Sequence, residues 1–215
     1  MMFRDRAEAG RLLGERLREE RLERPVVLGL PRGGVVVAAG VADALDAPLD
    51  ILVARKLGVP WQPELAFGAV APGVVVLRDE VVRAARIDRA TITAAADRES
   101  AHLADLAQRY RAGVPPVALA GTTVIVVDDG LATGATATAA VRSVRREGPA
   151  RVIVAAPVCA AQTADALLEE VDLVVCLCED RDFRSVGFYY SDFGQVSDAE
   201  VSALLLRRHG TPADR

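Results

Sequence analysis

The sequence predicts an α/β protein: a parallel sheet with helices on both faces. Apolar runs of strand length alternate with helical patterns, as in sheets joined by crossover helices. The runs are rich in Val, Leu and Ile, which is typical of strands buried on both faces. With 215 residues, of which 51% are hydrophobic and 26% charged, the chain can form one sizeable core. We expect a single domain over residues 1–215.

The first half of the chain begins with leucines at helical spacing among charged residues, which indicates an amphipathic helix. A first buried strand is predicted at residues 25–30, a helix from Gly33 onward, and a second strand at residues 49–56. The runs at residues 67–70 and 74–77 flank the turn-forming sequence APG. They predict an antiparallel hairpin.

A helical insert is expected at residues 79–112, which are rich in Ala, Arg and Glu and contain no Gly or Pro. The sheet then resumes, with strands and helices alternating at residues 122–127, 134–147, 150–158, 162–170 and 171–178. The core therefore covers about residues 20–77 and 117–180. Residues 181–210 would form a small C-terminal hood, with aromatic residues before a last helix that starts near Ser197.

The net charge argues against a nucleic-acid partner, and the short apolar runs argue against a membrane-spanning protein. A formal net charge of -4 and a pI near 5.3 give no basic surface for nucleic acid. No apolar run approaches the roughly 20 residues that a membrane-spanning helix needs. The N-terminus carries charges where a signal peptide would need its apolar stretch. We therefore expect a cytoplasmic protein.

The three cysteines, Cys159, Cys176 and Cys178, are odd in number and lie within apolar runs. This pattern favours reduced, buried residues over a disulfide framework. Cys176 and Cys178 could also hold a metal from one face of a strand. No histidine lies near them in sequence, so the packing interpretation is favoured.

The sequence DDGLATGAT, residues 128–136, is the strongest functional signal. A strand of β-formers runs into two carboxylates, and a Gly/Thr-rich turn then opens a helix. Free amides at a helix N-terminus attract an anion, and Thr133 and Thr136 add hydroxyl donors. The turn contains no lysine, which excludes a Walker A loop, and the first strand is not followed by a G-x-G-x-x-G fingerprint. A capped helix after a strand is the structural alternative.

Here the chain resembles the type I phosphoribosyltransferases, whose pattern is an apolar strand, two acids, three variable residues and T-G-x-T. The resemblance covers most of the chain. It implies that Asp128 and Asp129 contact the ribose hydroxyls of phosphoribosyl pyrophosphate (PRPP) and hold Mg²⁺, directly or through water. It also implies that the turn wraps the 5-phosphate with Ala132, Thr133, Gly134, Ala135 and Thr136.

A second glycine-rich turn, Arg32-Gly33-Gly34, follows the first strand. In the family, the corresponding turn holds the pyrophosphate of PRPP, although a plain strand-to-helix turn would have the same sequence. Arg55 and Lys56 end the predicted second strand and could reach the same pyrophosphate. Lys56 is the only lysine among 26 basic residues. A solvated pair at a strand end is the alternative interpretation.

The acceptor side is less defined by sequence. The turn-rich segment 58–64 resembles the loop that covers the site in this family, so Trp61 and Glu64 are candidate contacts; Trp61 could equally fill the core. The aromatic cluster at residues 183–193, with Phe188 and Tyr189, could sandwich a flat base or simply cover the end of the sheet.

The resemblance implies a Mg²⁺-dependent transferase that moves a 5-phosphoribosyl group from PRPP to a nucleobase-like nitrogen acceptor and releases pyrophosphate. Two alternatives keep the fold without this reaction. One is a PRPP- or nucleotide-sensing regulator, and the other is a partner-binding module that binds no PRPP. The apolar positions of the insert could also serve a homodimer.

Overall fold

The computed structural model describes residues 2–209. Its helices are α1 (Arg6–Leu17), α2 (Gly33–Leu45), α3 (Asp79–Ala84), α4 (Arg89–Arg111), α5 (Ala135–Arg145), α6 (Ala161–Leu167) and α7 (Asp198–His209), with a short 3-10 helix at Val186–Tyr189. Its strands are β1 (Pro25–Gly29), β2 (Leu49–Ile51), β3 (Arg55–Val59), β4 (Gln62–Ala71), β5 (Val74–Leu77), β6 (Thr123–Val127), β7 (Arg151–Ala160) and β8 (Leu173–Asp180).

Five strands form a parallel sheet in the order β2-β1-β6-β7-β8. Strand β1 lies beside β6, with Val27 opposite Ile125 and Gly29 opposite Val127. The carboxyl ends of these two strands are therefore neighbours, although about 100 residues separate them along the chain. The predicted α/β class with a parallel sheet is confirmed.

The two faces of this sheet bury alternate residues, as the two-residue period of a strand requires. Val27, Ile125 and Ile153 face a core shared with α1 and α2. Val26, Val124 and Val152 face the opposite core, which is filled by residues of α5 and α6. Because both faces are covered by helices, the near-continuous apolar strands of the sequence are explained.

A second sheet is antiparallel, in the order β3-β4-β5. The predicted hairpin is confirmed as β4 and β5, whose turn packs on α5: Ser143 Oγ donates to the Pro72 carbonyl oxygen at 2.8 Å. The strand predicted at residues 49–56 does begin at Leu49, but its predicted end is wrong. The parallel strand ends at Ile51, and Arg55 begins β3 in the other sheet, because the intervening residues leave the parallel sheet.

The helical insert is confirmed as α3 and α4. Helix α4 begins after Asp88, whose side chain accepts a hydrogen bond from the Thr91 N–H and so caps the helix. It ends at Arg111, and the C-cap residue Ala112 adopts the left-handed conformation before Gly113.

Asp50, in the edge strand β2, is a buried carboxylate that ties the insert to the sheet. Arg111 binds it through Nε (2.9 Å) and Nη2 (3.3 Å), and the Val117 N–H donates to its Oδ2 at 3.0 Å. Arg111 also donates to the Ile51 carbonyl oxygen. The end of α4 is thereby held against β2, the edge strand of the parallel sheet.

The cysteine expectation is corrected. Cys159 of β7 and Cys176 of β8 are joined as a disulfide, with Cα atoms 6.4 Å apart, and Cys178 is free. The two cysteines meet because β7 and β8 are neighbouring parallel strands, a relation that their 17-residue separation does not reveal. Within residues 2–209 there is no group of three or more His, Cys, Asp or Glu side chains that could hold a metal.

The N-terminal segment is bound to the aromatic segment near the other end of the chain. The Phe3 N–H donates to the Tyr189 carbonyl oxygen, and the Ser191 N–H donates to the Phe3 carbonyl oxygen, both at 2.8 Å. The Phe3 ring packs on Tyr190, with ring centroids 5.5 Å apart. The expected hood is therefore built from both ends of the described chain, and residue 210 of its predicted range lies outside the described residues.

No helix in the part of the chain described here is long and apolar enough to span a bilayer.

Replacing Arg111 by alanine should destabilise the protein by about 3–5 kcal/mol, because it leaves the buried Asp50 carboxylate without its charged partner. Arg109→Ala is the matched control, since Arg109 lies on the same helix, is 63% exposed and pairs only with exposed Asp105. Its expected cost is below about 1 kcal/mol. Urea denaturation of both variants measures the difference; equal losses would contradict the role of Asp50.

Candidate functional site

The acid pair lies where β6 ends, at the carboxyl edge of the parallel sheet. Asp128 and Asp129 directly follow Val127, and the Asp129 N–H donates to Asp128 Oδ1 at 2.9 Å. The hydroxyl of Tyr190 donates to the Asp129 carbonyl oxygen at 2.6 Å. Open α/β sheets bind their ligands at this edge, so the acids are placed to meet one.

The turn that follows is anchored from beneath by β7. The Leu131 N–H donates to the Val158 carbonyl oxygen, and the Ala160 N–H donates to the Leu131 carbonyl oxygen, both at 2.9 Å. From α6, Thr163 Oγ1 donates to the Ala132 carbonyl oxygen at 2.6 Å. These contacts hold the turn through the Leu131 N–H and through the carbonyl oxygens of Leu131 and Ala132, while the side chains of Ala132 and Thr133 stay exposed.

Helix α5 begins at Ala135 after Gly134, which has a φ of 70° and no side chain to cap the helix. The left-handed conformation favours glycine at this position. The first-turn amides have no side-chain cap and lie at the positive end of the helix dipole, an arrangement that favours an anion. Thr133, Gly134 and Thr136 line a cavity of about 220 Å³ with the two acids.

The Arg32-Gly33-Gly34 turn presses directly against the acid pair. A Cβ added to Gly33 would overlap Asp129 Oδ2, and one added to Gly34 would lie 2.9 Å from the Asp128 Cα. The Pro31–Arg32 peptide bond is cis. Gly33 therefore packs directly on the Asp129 carboxylate and Gly34 on the backbone at Asp128, because β1 and β6 are adjacent strands.

Basic residues face the acids across a cleft of about 710 Å³ lined by Arg32, Arg55, Lys56, Tyr110, Asp128, Thr136 and Asp198, among others. Lys56 lines both this cleft and the smaller cavity at the phosphate turn. Arg55 is held by Glu99 of α4 at 3.2 Å, and Arg32 lies 3.7 Å from Asp198. Arg55 and Lys56 reach the cleft as the first residues of β3 rather than from a parallel strand.

The surroundings of Asp128 disfavour the ionised form of its carboxyl. Burial, and then the charge of Asp129, raise the pKa of Asp128 well above its ordinary value, against the opposing effects of the Asp129 N–H, Lys56 and Arg6. At the cleft wall, Tyr110 donates a hydrogen bond to Asp198 at 2.8 Å. Burial and this acid raise the pKa of Tyr110 to about 12, so its hydroxyl stays protonated at neutral pH.

The sequence interpretation missed four side chains at the site: Arg6, Tyr110, Tyr190 and Asp198. Arg6, from helix α1, binds Asp129 Oδ2 through its Nε at 2.7 Å. Tyr110 and Asp198 stand at the wall of the larger cleft. Each comes from an element that is remote in sequence and carries no local signature of an anion site. Only Tyr190 stood out, as one member of the aromatic cluster.

The candidate acceptor contacts lie elsewhere. Trp61 is 66% exposed at the turn between β3 and β4 and lines a different cavity with Glu80 and Val81; Glu64 is also exposed on β4. Phe188 is 53% exposed and lies edge-on against Tyr189. The buried Tyr189 hydroxyl bonds to Asp180. The structure brings none of these four side chains to the acid pair.

Replacing Asp128 by asparagine should stabilise the protein at neutral pH by about 1–2 kcal/mol, because the amide removes a carboxyl whose ionised form is disfavoured by burial. Asparagine retains the oxygen that accepts from the Asp129 N–H. The pKa of Asp128 is raised in the folded state. Ionisation of this carboxyl as the pH rises therefore destabilises the wild-type protein. The advantage of the variant should therefore vanish below about pH 4, where the acid is protonated in both states.

Thermal denaturation between pH 3 and 8 would measure this difference. Asp129→Asn is the matched control. It should instead lower stability by about 1–3 kcal/mol because it breaks the ion pair with Arg6. A loss of stability in Asp128→Asn at neutral pH would contradict the inferred cost of the buried carboxylate.

Both the sequence and the fold resemble those of known proteins. A family model described as the phosphoribosyl transferase domain matches residues 67–192. The solved structure of TT1426 from Thermus thermophilus is 46% identical, and the alignment covers 98% of this chain and 100% of that chain with a TM-score of 0.83. The AQ2163 protein from Aquifex aeolicus is 15% identical over 81% of this chain and 73% of that chain. Its TM-score of 0.50 shows likeness of fold alone.

A curated relative from Mycobacterium tuberculosis H37Rv, Rv0571c, is provisionally assigned as a phosphoribosyl transferase. It is 47% identical over 209 residues, which are 97% of this chain and 47% of the relative. The chain thus spans about half the length of the curated relatives it matches. The matched region of the family model includes both acids and the turn that follows them, which confirms the resemblance found in the sequence. The chain belongs to the phosphoribosyl transferase domain family.

Proposed function

We propose that this chain transfers the 5-phosphoribosyl group from PRPP to a nucleobase-like nitrogen acceptor and releases pyrophosphate. The observation that carries the proposal is the contact between two anion-binding turns at one edge of the sheet, with the acid pair between them. PRPP has a phosphate at one end of its ribose and a pyrophosphate at the other. A site with two anion turns on either side of two hydroxyl-binding carboxylates matches that ligand.

Each part of PRPP has a counterpart in the cleft. The amides and hydroxyls of residues 132–136 would bind the 5-phosphate, and Asp128 and Asp129 would accept hydrogen bonds from the ribose hydroxyls. The Arg32-Gly33-Gly34 turn, with Arg55 and Lys56, would bind the pyrophosphate. Lys56 is central to this arrangement because it lines the cavities on both sides of the acids.

The donor set at the acid pair also fits Mg²⁺. This hard cation prefers carboxylate, phosphate and water oxygens and rarely takes a full set of protein ligands. Asp128 and Asp129 are the carboxylates that would hold it, directly or through water, with PRPP oxygens completing its shell. When bound, the cation would neutralise charge on the pyrophosphate. It would also offset the disfavoured ionised form of Asp128.

The chemistry needs positioned charges rather than a protein nucleophile. The acceptor nitrogen forms a bond to the anomeric carbon, the bond from that carbon to the pyrophosphate oxygen breaks, and the pyrophosphate keeps the electron pair. The acceptor releases its proton to solvent. Carboxylates at the ribose stabilise positive charge that develops on the sugar, and Arg32, Arg55 and Lys56 stabilise the departing anion.

That the acceptor is a nucleobase stays a prediction. So do a homodimer formed through the helical insert and a cytoplasmic location. The flat rings of residues 183–193 support a planar acceptor, but Tyr190 and Phe193, rather than Phe188 and Tyr189, lie nearest the acids through their contacts with Arg6.

Calorimetric titration of PRPP with Mg²⁺ should show binding to wild type and none to the Asp128→Asn/Asp129→Asn variant, because both hydroxyl-binding carboxylates are lost. The same protein is then offered a panel of nucleobases and scored for pyrophosphate release. Release with one base identifies the acceptor. Binding without release from any base indicates a sensor of PRPP, and no binding to wild type refutes the proposed site.

Gly33→Ala should weaken PRPP binding at least about tenfold, because the added methyl group would overlap Asp129 Oδ2 and force the two turns apart. Gly148→Ala is the control. Its added Cβ meets nothing within 4 Å, and its φ of 70° should cost about 1 kcal/mol of stability without changing PRPP affinity. Calorimetry and thermal denaturation of both variants separate binding from stability, and unchanged affinity in Gly33→Ala would show that the turns need not touch.

A further inference from the structure

Arg6 of helix α1 reaches the acid pair from a part of the chain 123 residues away from Asp129. Its Nε lies 2.7 Å from Asp129 Oδ2, and its Nη1 donates to the Gly194 carbonyl oxygen at 2.8 Å. The guanidinium carbon also lies 3.8 Å from the centroid of the Phe193 ring. An ion pair, a hydrogen bond and a ring contact together fix the position of this guanidinium.

Three residues, Gly33, Arg6 and Tyr190, restrain Asp129. Gly33 lies so close to Oδ2 that it leaves no room for a Cβ, and Arg6 binds the same oxygen. Tyr190 holds the backbone of Asp129 through its carbonyl oxygen. Within residues 2–209, Oδ1 of Asp129 receives no hydrogen bond. One carboxylate oxygen is therefore used by the protein, and the other is left for a ligand.

Burial makes this arrangement strong. The Arg6 and Asp129 side chains are only 11% and 16% exposed, so water screens their attraction little. A second carboxylate, Asp128, lies beside Asp129, and a cation at this position offsets part of their mutual repulsion. A ligand that displaced Arg6 would have to replace all three of its contacts, so the contacts favour a guanidinium that stays in place.

We propose that Arg6 is a positioning residue for ribose binding: it fixes the Asp129 carboxylate so that its free oxygen accepts a hydrogen bond from a ribose hydroxyl. This inference rests on the proposed function, because it assumes that Asp129 meets a ribose. It adds a residue that lies outside both glycine-rich turns and outside the matched family region at residues 67–192.

The test compares two probes that share phosphate chemistry but differ in the ribose. Ribose 5-phosphate and inorganic pyrophosphate are each titrated into wild type, Arg6→Gln and Arg6→Lys. In Arg6→Gln, the Kd for ribose 5-phosphate should rise by about 10- to 100-fold, since a charge-assisted hydrogen bond is lost. The Kd for pyrophosphate, which binds at the basic side of the cleft, should change less than about twofold. Arg6→Lys keeps the charge and should recover part of the loss.

Two further variants exclude indirect effects. Arg11→Gln, on the same helix but 58% exposed and paired with Glu15, should bind both probes as wild type does. In an Asp129→Asn background, Arg6→Gln should have no further effect on ribose 5-phosphate, because the carboxylate that it positions is gone. If Arg6→Gln does not fold, Arg6→Lys makes the same comparison of the two probes.

Three outcomes would overturn the proposal. Unchanged affinity of Arg6→Gln for ribose 5-phosphate would show that Arg6 does not position Asp129, and tighter binding would show that Arg6 blocks the site instead. Equal losses for both probes would indicate a general structural role. If wild type itself binds neither probe, the proposed function fails rather than the role of Arg6.

Discussion

The pairing of β1 with β6 is the constraint on which the site depends. Parallel neighbours end at the same edge of a sheet, so the turn after β1 and the acids after β6 are forced together. The contact leaves no space for side chains, which is why the turn has glycine at positions 33 and 34. The pairing of β1 with β6 thus brings both glycine-rich turns to the acid pair.

The local parts of the site could be predicted because their signals are local. A strand, two acids and a T-G-x-T turn lie within residues 123–136, and the turn needs only Gly134 and the start of α5 to present its amides. The alternation of strands and helices likewise predicted the parallel sheet. The end of the strand that begins at Leu49 was harder to predict, because the apolar residues continue to Ala54 and do not show where the chain passes from one sheet to the other.

The remaining parts depend on contacts between distant elements, which periodicity does not encode. Arg6 binds an acid 123 residues away, and its helix looks in sequence like any amphipathic surface helix. Asp50 reads as one acid in an apolar strand until Arg111 and the Val117 N–H are placed around it. Cys159 and Cys176 were misjudged for the same reason, since their pairing follows from strand order.

The contacts of residues 3–6 with residues 189–194 in the hood have a consequence for synthesis on the ribosome. A nascent chain that has emerged only to residue 180 contains every strand and both glycine-rich turns. It still lacks the Tyr190 hydroxyl that holds Asp129 and the Gly194 carbonyl that holds Arg6. Because a domain generally folds as a unit, the contacts around the acid pair form together with the rest of the domain. The contacts that hold Asp129 and Arg6 are complete only when residues 190–194 have left the exit tunnel.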